Sequence, residues 1–528
     1  MLWIAGLGAE SAMARDFYRV VPGEVSLQGN FERAQLLVQQ VNREGIASPQ
    51  SEDLTHQATY TSSDPSVVTV DAQGQLLAAG SGQAMIRVKY KRWRSDVTVT
   101  VDGLVDEPEI EFVKQVSPVI AKHGCNMGAC HASQHGKGGF ILSVFGFDPG
   151  KDRRNIVQDR LQRRVDFIRP ENSLLLLKPT LAVAHGGGLR LKRDSVDYRL
   201  LLAWLRSGAP AQEGEPLEVT GLQVTPSVRV GRPGMVQQLR VEAQYSDGSV
   251  RDVTALARYD SMDEGMLVVE EGGLMTAQDA GQGPVMVRFE GQAAIVTVSI
   301  PYSESADLSS WTSNNFVDEL AARKFQDLGI EPSGICDDAT FIRRAYLDTI
   351  GGQPTPAEIR AFLESDDPQK RTQLVDRLLG LSGDPKKDIY NDRYAAFWTL
   401  KWSDLIRNNS NDLGEQGMWA MHNWVRESFR VNKPFSDFVR ELVTAKGSIY
   451  MNGPANYFRV NSNATELTEA TTQLFMGIRL ECAKCHHHPF EKYSQADYYG
   501  IAAFFARVGT KGSEEFGLFG RESVVVVK

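Results

Sequence analysis

The 528-residue chain has no apolar run long enough to cross a bilayer. It also lacks a basic excess. Its 57 Lys and Arg stand against 66 Asp and Glu, leaving a net charge of −9, which argues against nucleic acid or an anionic membrane as the main partner. Cysteine is scarce, with five in all, too few for a disulfide scaffold of this size. G-x-S-x-G, H-E-x-x-H and P-loop patterns are absent, so the commonest hydrolase, zinc-protease and nucleotide-binding chemistries have no foothold. Gly186–Gly188 is not followed by Lys-Ser/Thr and is no phosphate loop. What is present is a globular composition, 42% hydrophobic and 23% charged, at a length that needs several cores.

The few cysteines are grouped beside histidines. Cys482, Cys485 and His486 spell C-x-x-C-H, the pattern in which two thiols bond to haem and the histidine ligates its iron. Cys125, Cys130 and His131 form a second group, with four residues between the cysteines, a spacing that also suits a disulfide. Only Cys336 lies outside both. For the downstream group three readings stand: haem, a metal held by Cys482, Cys485, His486 and His488, or a redox dithiol. Structural zinc pairs are normally separated by a longer loop than this one. His422 and Met476 qualify as opposite ligands there by residue type only.

Along the chain, Leu2–Ala9 is a short apolar stretch and Ala12-Met13-Ala14 has the form of a signal-peptidase site, without a basic segment before it. We read it as a clipped export signal. Residues 15–102 are β structure, with strands at Val67–Val70 and Met85–Tyr90 separated by turn signals at Asp71–Gly74 and Gly80–Gly82. Residues 219–300 repeat the plan in order: Gln35-Leu-Leu-Val38 answers Gln238-Leu-Arg-Val241, and Asp53-Leu-Thr55 answers Asp252-Val-Thr254. Between them, residues 104–210 begin with an expected helix from Glu111 to Lys122 and end with Tyr198, Leu201, Leu202 and Leu205 at helical spacing. Ala209–Pro216 is a linker. Residues 314–508 are long amphipathic helices with a capping box at Thr355-Pro-Ala-Glu358. There a stripe of Thr471, Leu474, Phe475 and Ile478 is expected on the helix that delivers Cys482. Residues 509–528 read as the start of a further region ending on a strand.

The runs Val21–Val25, Asp53–Thr55, Ser62–Pro65 and Gly80–Gly82 resemble the bacterial immunoglobulin-like group 2 domain, and the second copy matches it more loosely. The runs Gly124–His131, Gly139–Ser143, Pro170–Leu175, His185–Gly188 and Trp204–Pro210 resemble the planctomycete cytochrome-c-like family. Residues 314–508 resemble the helical domain that accompanies that cytochrome, through Phe341–Asp348, Gln473–Leu480, Cys482–His486 and Gln495–Tyr499. In the upstream unit the resemblance to the cytochrome-c-like family implies haem on Cys125 and Cys130, with His131 as the proximal ligand. Small cytochromes c mostly use Met on the far side, and no Met follows Met127 in this unit. His185, followed by three glycines that allow backbone close to a flat ring, is the distal candidate. Such a pair should have a lower potential than Met/His.

The expected fold is multidomain and mixed: two Ig-like β-sandwiches, a small cytochrome c-like α unit between them, and a mainly α-helical C-terminal domain. The expected function is electron transfer by an exported c-type cytochrome-like protein, periplasmic or on the cell surface, with one haem c or two and a redox partner protein. The alternatives are a surface enzyme or polysaccharide-interacting protein using a metal or haem site in the helical domain, and a structural or adhesion protein. No nucleic-acid partner and no transmembrane span are expected.

Overall fold

The computed structural model describes residues 17–133, 135–211, 217–486, 488, 491, 493–512 and 523–528. The apolar N-terminal stretch, the Ala12–Ala14 motif, most of the 209–216 linker and His487 lie outside the described residues. The protein is multidomain and mixed, β-rich in its N-terminal part and mainly helical in its C-terminal part. It divides into two compact units: residues 1–332 with 486–494, and residues 333–485 with 495–528. No helix among the described residues is long and apolar enough to cross a membrane.

In the first unit, the long strand Gly82–Tyr90 alternates strictly from Ala84, with Ala84, Ile86, Val88 and Tyr90 buried. Period-2 patterning of this kind puts one face on a core. Trp93–Asp102 pairs with it along its length and also runs parallel to Glu24–Gln28. A second sheet of Arg33–Gln35, Gln75–Ala78 and Val68–Val70 closes the core with Leu36, Val38 and Leu76. The domain at 219–300 has the same plan. Gly281–Phe289 pairs with Gln292–Ile300, which runs parallel to Val228–Val230, and a sheet of Val236–Gln238, Leu274–Ala277 and Leu267–Val269 faces them.

The duplication extends to individual hydrogen bonds. Thr55 N donates to Asp53 Oδ1 and Thr254 N to Asp252 Oδ1, both at 3.0 Å. The Thr55 hydroxyl accepts from Val38 N at 2.9 Å and the Thr254 hydroxyl from Val241 N at 2.8 Å. Tyr60 and Tyr259 donate to the carbonyls of those threonines. The second carboxylate oxygens cross over. Asp252 Oδ2 accepts from Gln35 N at 3.0 Å, and Asp53 Oδ2 accepts from Gln238 N. Each β domain therefore satisfies a backbone donor of the other, an exchange with the character of a two-fold interface.

Residues 104–211 pack into the same core as the second β domain. The helix expected from Glu111 onward is two elements: a π-helical turn Phe112–Val116, then an α-helix Ser117–Lys122. Pro118 stands in the first turn of the latter, where its missing N–H costs nothing. The closing helix Val196–Arg206 is capped by Ser195 and buries Trp204 completely, with Phe112 at 5.3 Å between ring centres. Helix Phe316–Leu328 belongs to this unit, and Tyr302 N donates to Leu328 O at 2.8 Å.

The second unit is built from helices between Asp338 and Phe505 around two cores, one of them centred on the fully buried Tyr346 and the other on Met421, Val425 and Tyr457. The Thr355/Glu358 capping box is formed. The C-terminal strand Ser523–Val527 pairs with Val508–Gly512 and Gly447–Ser448, and Val525 is buried in the helical core.

Candidate functional site

After helix Ser117–Lys122 the chain leaves helical geometry, with Gly124 at φ 70°. Cys125–His131 is a knot of turns: Cys130 N donates to Met127 O, His131 N to Cys125 O and Leu142 N to His131 O. Both cysteines are half-buried free thiols. With His131 and His185 they line a crevice of about 420 Å³, inside the roughly 300–1,000 Å³ range of small-molecule and cofactor clefts. Its apolar walls come from Ile120, Phe140, Leu142, Leu174, Leu175 and Pro179.

The two imidazoles are nearly parallel, 15° apart in plane, with ring centres separated by 6.5 Å. Two rings sharing one ion at nitrogen–metal distances of roughly 2 Å have centres roughly 6 Å apart. His131 Nδ1 lies 3.2 Å from Phe140 O and His185 Nδ1 lies 2.9 Å from Gly188 O. A carbonyl can only accept, so each Nδ1 carries the proton in these bonds and each Nε2 is left with its lone pair, the arrangement of ligating histidines. His185 packs on bare backbone, since a β-carbon on Gly187 would sit 2.9 Å from its Cε1. Burial holds His131 below the ordinary histidine range. Burial and the charge of Cys130 push the Cys125 thiol up to about 11, so it carries its proton.

Charge completes the crevice. Lys137, Arg160, Arg163, Arg164, Lys178 and Arg190 line it, and no Asp or Glu is among the described lining residues. Arg164 is buried, bonded to Asn155 O, Gly139 O and the Asp159 carboxylate, with its guanidinium 4.4 Å from the Phe140 ring centre. Nothing in the cysteine-histidine spacing pointed to these cations. The signal that could have found them is regional: residues 137–211 hold fourteen Lys and Arg against seven Asp and Glu. The arrangement suits a flat apolar group that carries carboxylates and places an ion between two imidazoles.

His123 also reaches the crevice wall but is engaged elsewhere. Its Nε2 lies 3.1 Å from Asp197 Oδ2 and its Nδ1 3.4 Å from Glu271 Oε2. Asp197 further pairs with Lys122 and Arg33, each at 2.8 Å. Arg33 sits off the ideal hydrogen-bond direction at this distance, so that contact is an ion pair. Burial alone would raise the Asp197 carboxyl, but the His123 bond and the Arg33 and Lys122 charges hold it well below the usual range. This cluster ties the crevice wall to Arg33 of the first β domain and Glu271 of the second. His135 is exposed.

The downstream motif is placed differently. Helix Ala464–Phe475 stops before the motif, Gly477 has φ 70°, and Cys482 lies on a 3₁₀ turn, Leu480–Lys484. Ile478 is therefore off the helix on which its stripe was expected, because the glycine ends the helical run. Cys482 and Cys485 are free and exposed. The turn is held by Gln495 Nε2 donating to Lys484 O and by Lys484 Nζ 3.3 Å from Glu469, which also accepts from the Tyr498 hydroxyl. His486 and His488 fall in the 486–494 segment that groups with the first unit, and His488 is buried. Among the described residues no group of three or more His, Cys, Asp and Glu is placed to hold a metal ion. His422 packs edge-on to Trp419, and Met476 is exposed.

Residues 316–510 match the model of the PSCyt2 family, described as a protein of unknown function (DUF1549). No curated protein matches the chain. Among the solved structures that it resembles are S-layer proteins. One is rSbsC(31-844), at 9% identity and a TM-score of 0.14 over 50% of this chain and 23% of that one. Domains 5–6 of SbsC match at 11% and 0.21 over 54% of this chain and 99% of that one. Domains 4–9 match at 11% and 0.23 over 55% of this chain and 32% of that one. The chain thus spans about a quarter of the length of rSbsC(31-844), and likeness at these scores carries no functional argument.

Proposed function

We propose that the chain is an exported multidomain c-type cytochrome-like electron-transfer protein, with one haem c held by residues 104–210 and the β domains as spacers. The observation that carries this reading is the His131/His185 pair, parallel and 6.5 Å apart in a crevice that also contains Cys125 and Cys130. Haem, when bound, supplies one-electron iron chemistry. Cys125 and Cys130 would anchor it through their sulfurs, and His131 and His185 would ligate through Nε2. The Phe140 and Gly188 carbonyls fix the ring orientations. Lys137, Arg160 and Arg190, which line the crevice, would supply countercharge for its carboxylates. With both imidazoles engaged, these residues would serve electron relay and would not activate a substrate. Without a Met ligand, the potential should lie below that of a Met/His site. Covalent attachment of this kind takes place outside the cytoplasm, and that is why export belongs to the reading.

The test is a covalent-haem stain and a reduced-minus-oxidised spectrum of the full chain, made in a host that attaches haem. The expected result is haem lost in Cys125→Ser/Cys130→Ser and kept in Cys485→Ser. Absence of covalent haem from the wild-type chain in that host would sink the proposal. The exposed thiols of Cys482 and Cys485 beside His486 support a second reading for the helical domain: a further haem, or a non-haem metal completed by another ligand. Metal analysis of wild type against Cys482→Ser/Cys485→Ser separates these from an empty dithiol.

A further inference from the structure

A second cleft of the first unit, about 580 Å³ and larger than the crevice at His131, takes no part in the chemistry above. It lies where the first β domain, the Gly103–Gln115 connection and the second β domain meet. Six carboxylates line it, Glu24, Glu32, Glu109, Glu111, Glu242 and Asp252, against the four cations Arg33, Lys114, Arg240 and Arg251. Each of these cations is already matched. Arg33 pairs with Asp197 at 2.8 Å, Lys114 with Glu111 at 3.0 Å and Arg251 with Glu32 at 2.5 Å. Arg240 pairs with Glu242 at 2.7 Å and with Asp252 at 3.0 Å. Glu24 and Glu109 are exposed and form no ion pair among the described residues. Tyr245 also lines the cleft. It is 5% exposed, and its hydroxyl has no hydrogen-bond partner among the described residues. Arg251 stands beside that hydroxyl but directs Nε and Nη2 to the Glu32 carboxylate. A buried hydroxyl without a partner is destabilising, and a plain spacer domain has no use for it, since Phe would fill the same place.

The lining limits what can bind. An anion meets an excess of carboxylates whose neighbouring cations are engaged. A sugar ring stacks best on an open aromatic face, and Tyr245, the single aromatic among the described lining residues, is buried. Val25, Leu27, Ile110 and Leu217 line the cleft alongside the carboxylates, which suits methylene chains that carry charged ends. We propose that this cleft binds an aliphatic polyamine, with its ammonium groups on Glu24, Glu109 and the Tyr245 hydroxyl. Charge-assisted hydrogen bonds hold the ammonium groups, and the apolar lining packs against the chain between them. The ligand touches both β domains and the connection between them, so it stabilises the folded first unit by mass action. The site is independent of haem.

The test is isothermal titration calorimetry of the full chain with spermidine, with citrate, calcium and an uncharged alkanediol of similar length as controls. The expected result is a single saturable spermidine site that weakens with added salt, and a higher melting temperature in its presence. Glu24→Gln/Glu109→Gln should weaken binding at least about tenfold. Tyr245→Phe should weaken it several-fold, yet melt no lower than wild type without ligand, because the hydroxyl has no partner to lose. Glu364→Gln/Glu415→Gln makes the same change of charge on exposed residues of the second unit and should leave binding unchanged. Absence of saturable spermidine binding overturns the proposal, as does binding of citrate, calcium or the diol as tight as that of spermidine. Unchanged binding in Tyr245→Phe also overturns it. So does equal weakening in the Glu364/Glu415 variant, which would show diffuse attraction to a chain of net charge −9.

Discussion

Gly187 sets the position of the His185 ring more directly than any side chain does. A β-carbon there would collide with Cε1 at 2.9 Å, so Gly187→Ala should push the imidazole off its line with His131. In haem-loaded protein the expected outcome is a high-spin component in the optical and EPR spectra, with the covalent stain retained. A spectrum identical to wild type would count against His185 as the distal ligand. Asp197 offers a separate test, since it serves Lys122, Arg33 and His123 together. Asp197→Asn leaves buried cations short of a partner and should cost the first unit about 3 kcal/mol in urea unfolding at neutral pH. The residue-level pattern of Cys, His and Gly was legible because these types have narrow chemistry. The cations were not, because Arg and Lys are common and gain meaning only when they converge on one cavity.

At the level of elements, the repeated Asp-x-Thr turn accounts for the agreement between the two β domains. The hydroxyls of Thr55 and Thr254 satisfy the buried N–H groups of Val38 and Val241. Thr55→Val and Thr254→Val keep the shape and remove that acceptor, and each should destabilise by about 1–3 kcal/mol, measured by denaturant titration. The matching spacing was visible in the chain, but the crossing of the second carboxylate oxygens to Gln35 and Gln238 was not. Local sequence shows which carboxylate caps its own turn and cannot show which backbone donor of another domain it meets. The same limit explains the stripe ending in Ile478. Periodicity ran through Met476-Gly477, while the positive φ of the glycine ended the helix.

For the whole molecule, buried carboxylates on both sides of their ordinary range shape the dependence on pH. Asp197 is held low, so its contribution is present above the unfolded carboxylate range near 3.9 and is lost as pH falls below it. Glu290 is pushed the other way, up to about 8 by burial, and Asp152 up to about 6 by burial. Each takes up a proton on folding, so stability declines as pH rises from the unfolded value toward the folded one. Thermal stability of the first unit should therefore peak in mildly acidic solution, and Glu290→Gln should flatten the limb up to pH about 8. An unchanged slope in that variant would show that Glu290 is not the group responsible. By itself the sequence determined the alternation of β and helical regions, the duplication and the identities of Cys125, Cys130, His131 and His185, because periodicity and residue chemistry are local properties. Only the tertiary structure decided that the two histidines stand parallel at 6.5 Å and that a cation-lined apolar crevice surrounds them. It also placed Cys482 and Cys485 on an open turn. Distances between segments far apart in the chain are set by packing, and spacing along the chain does not encode them.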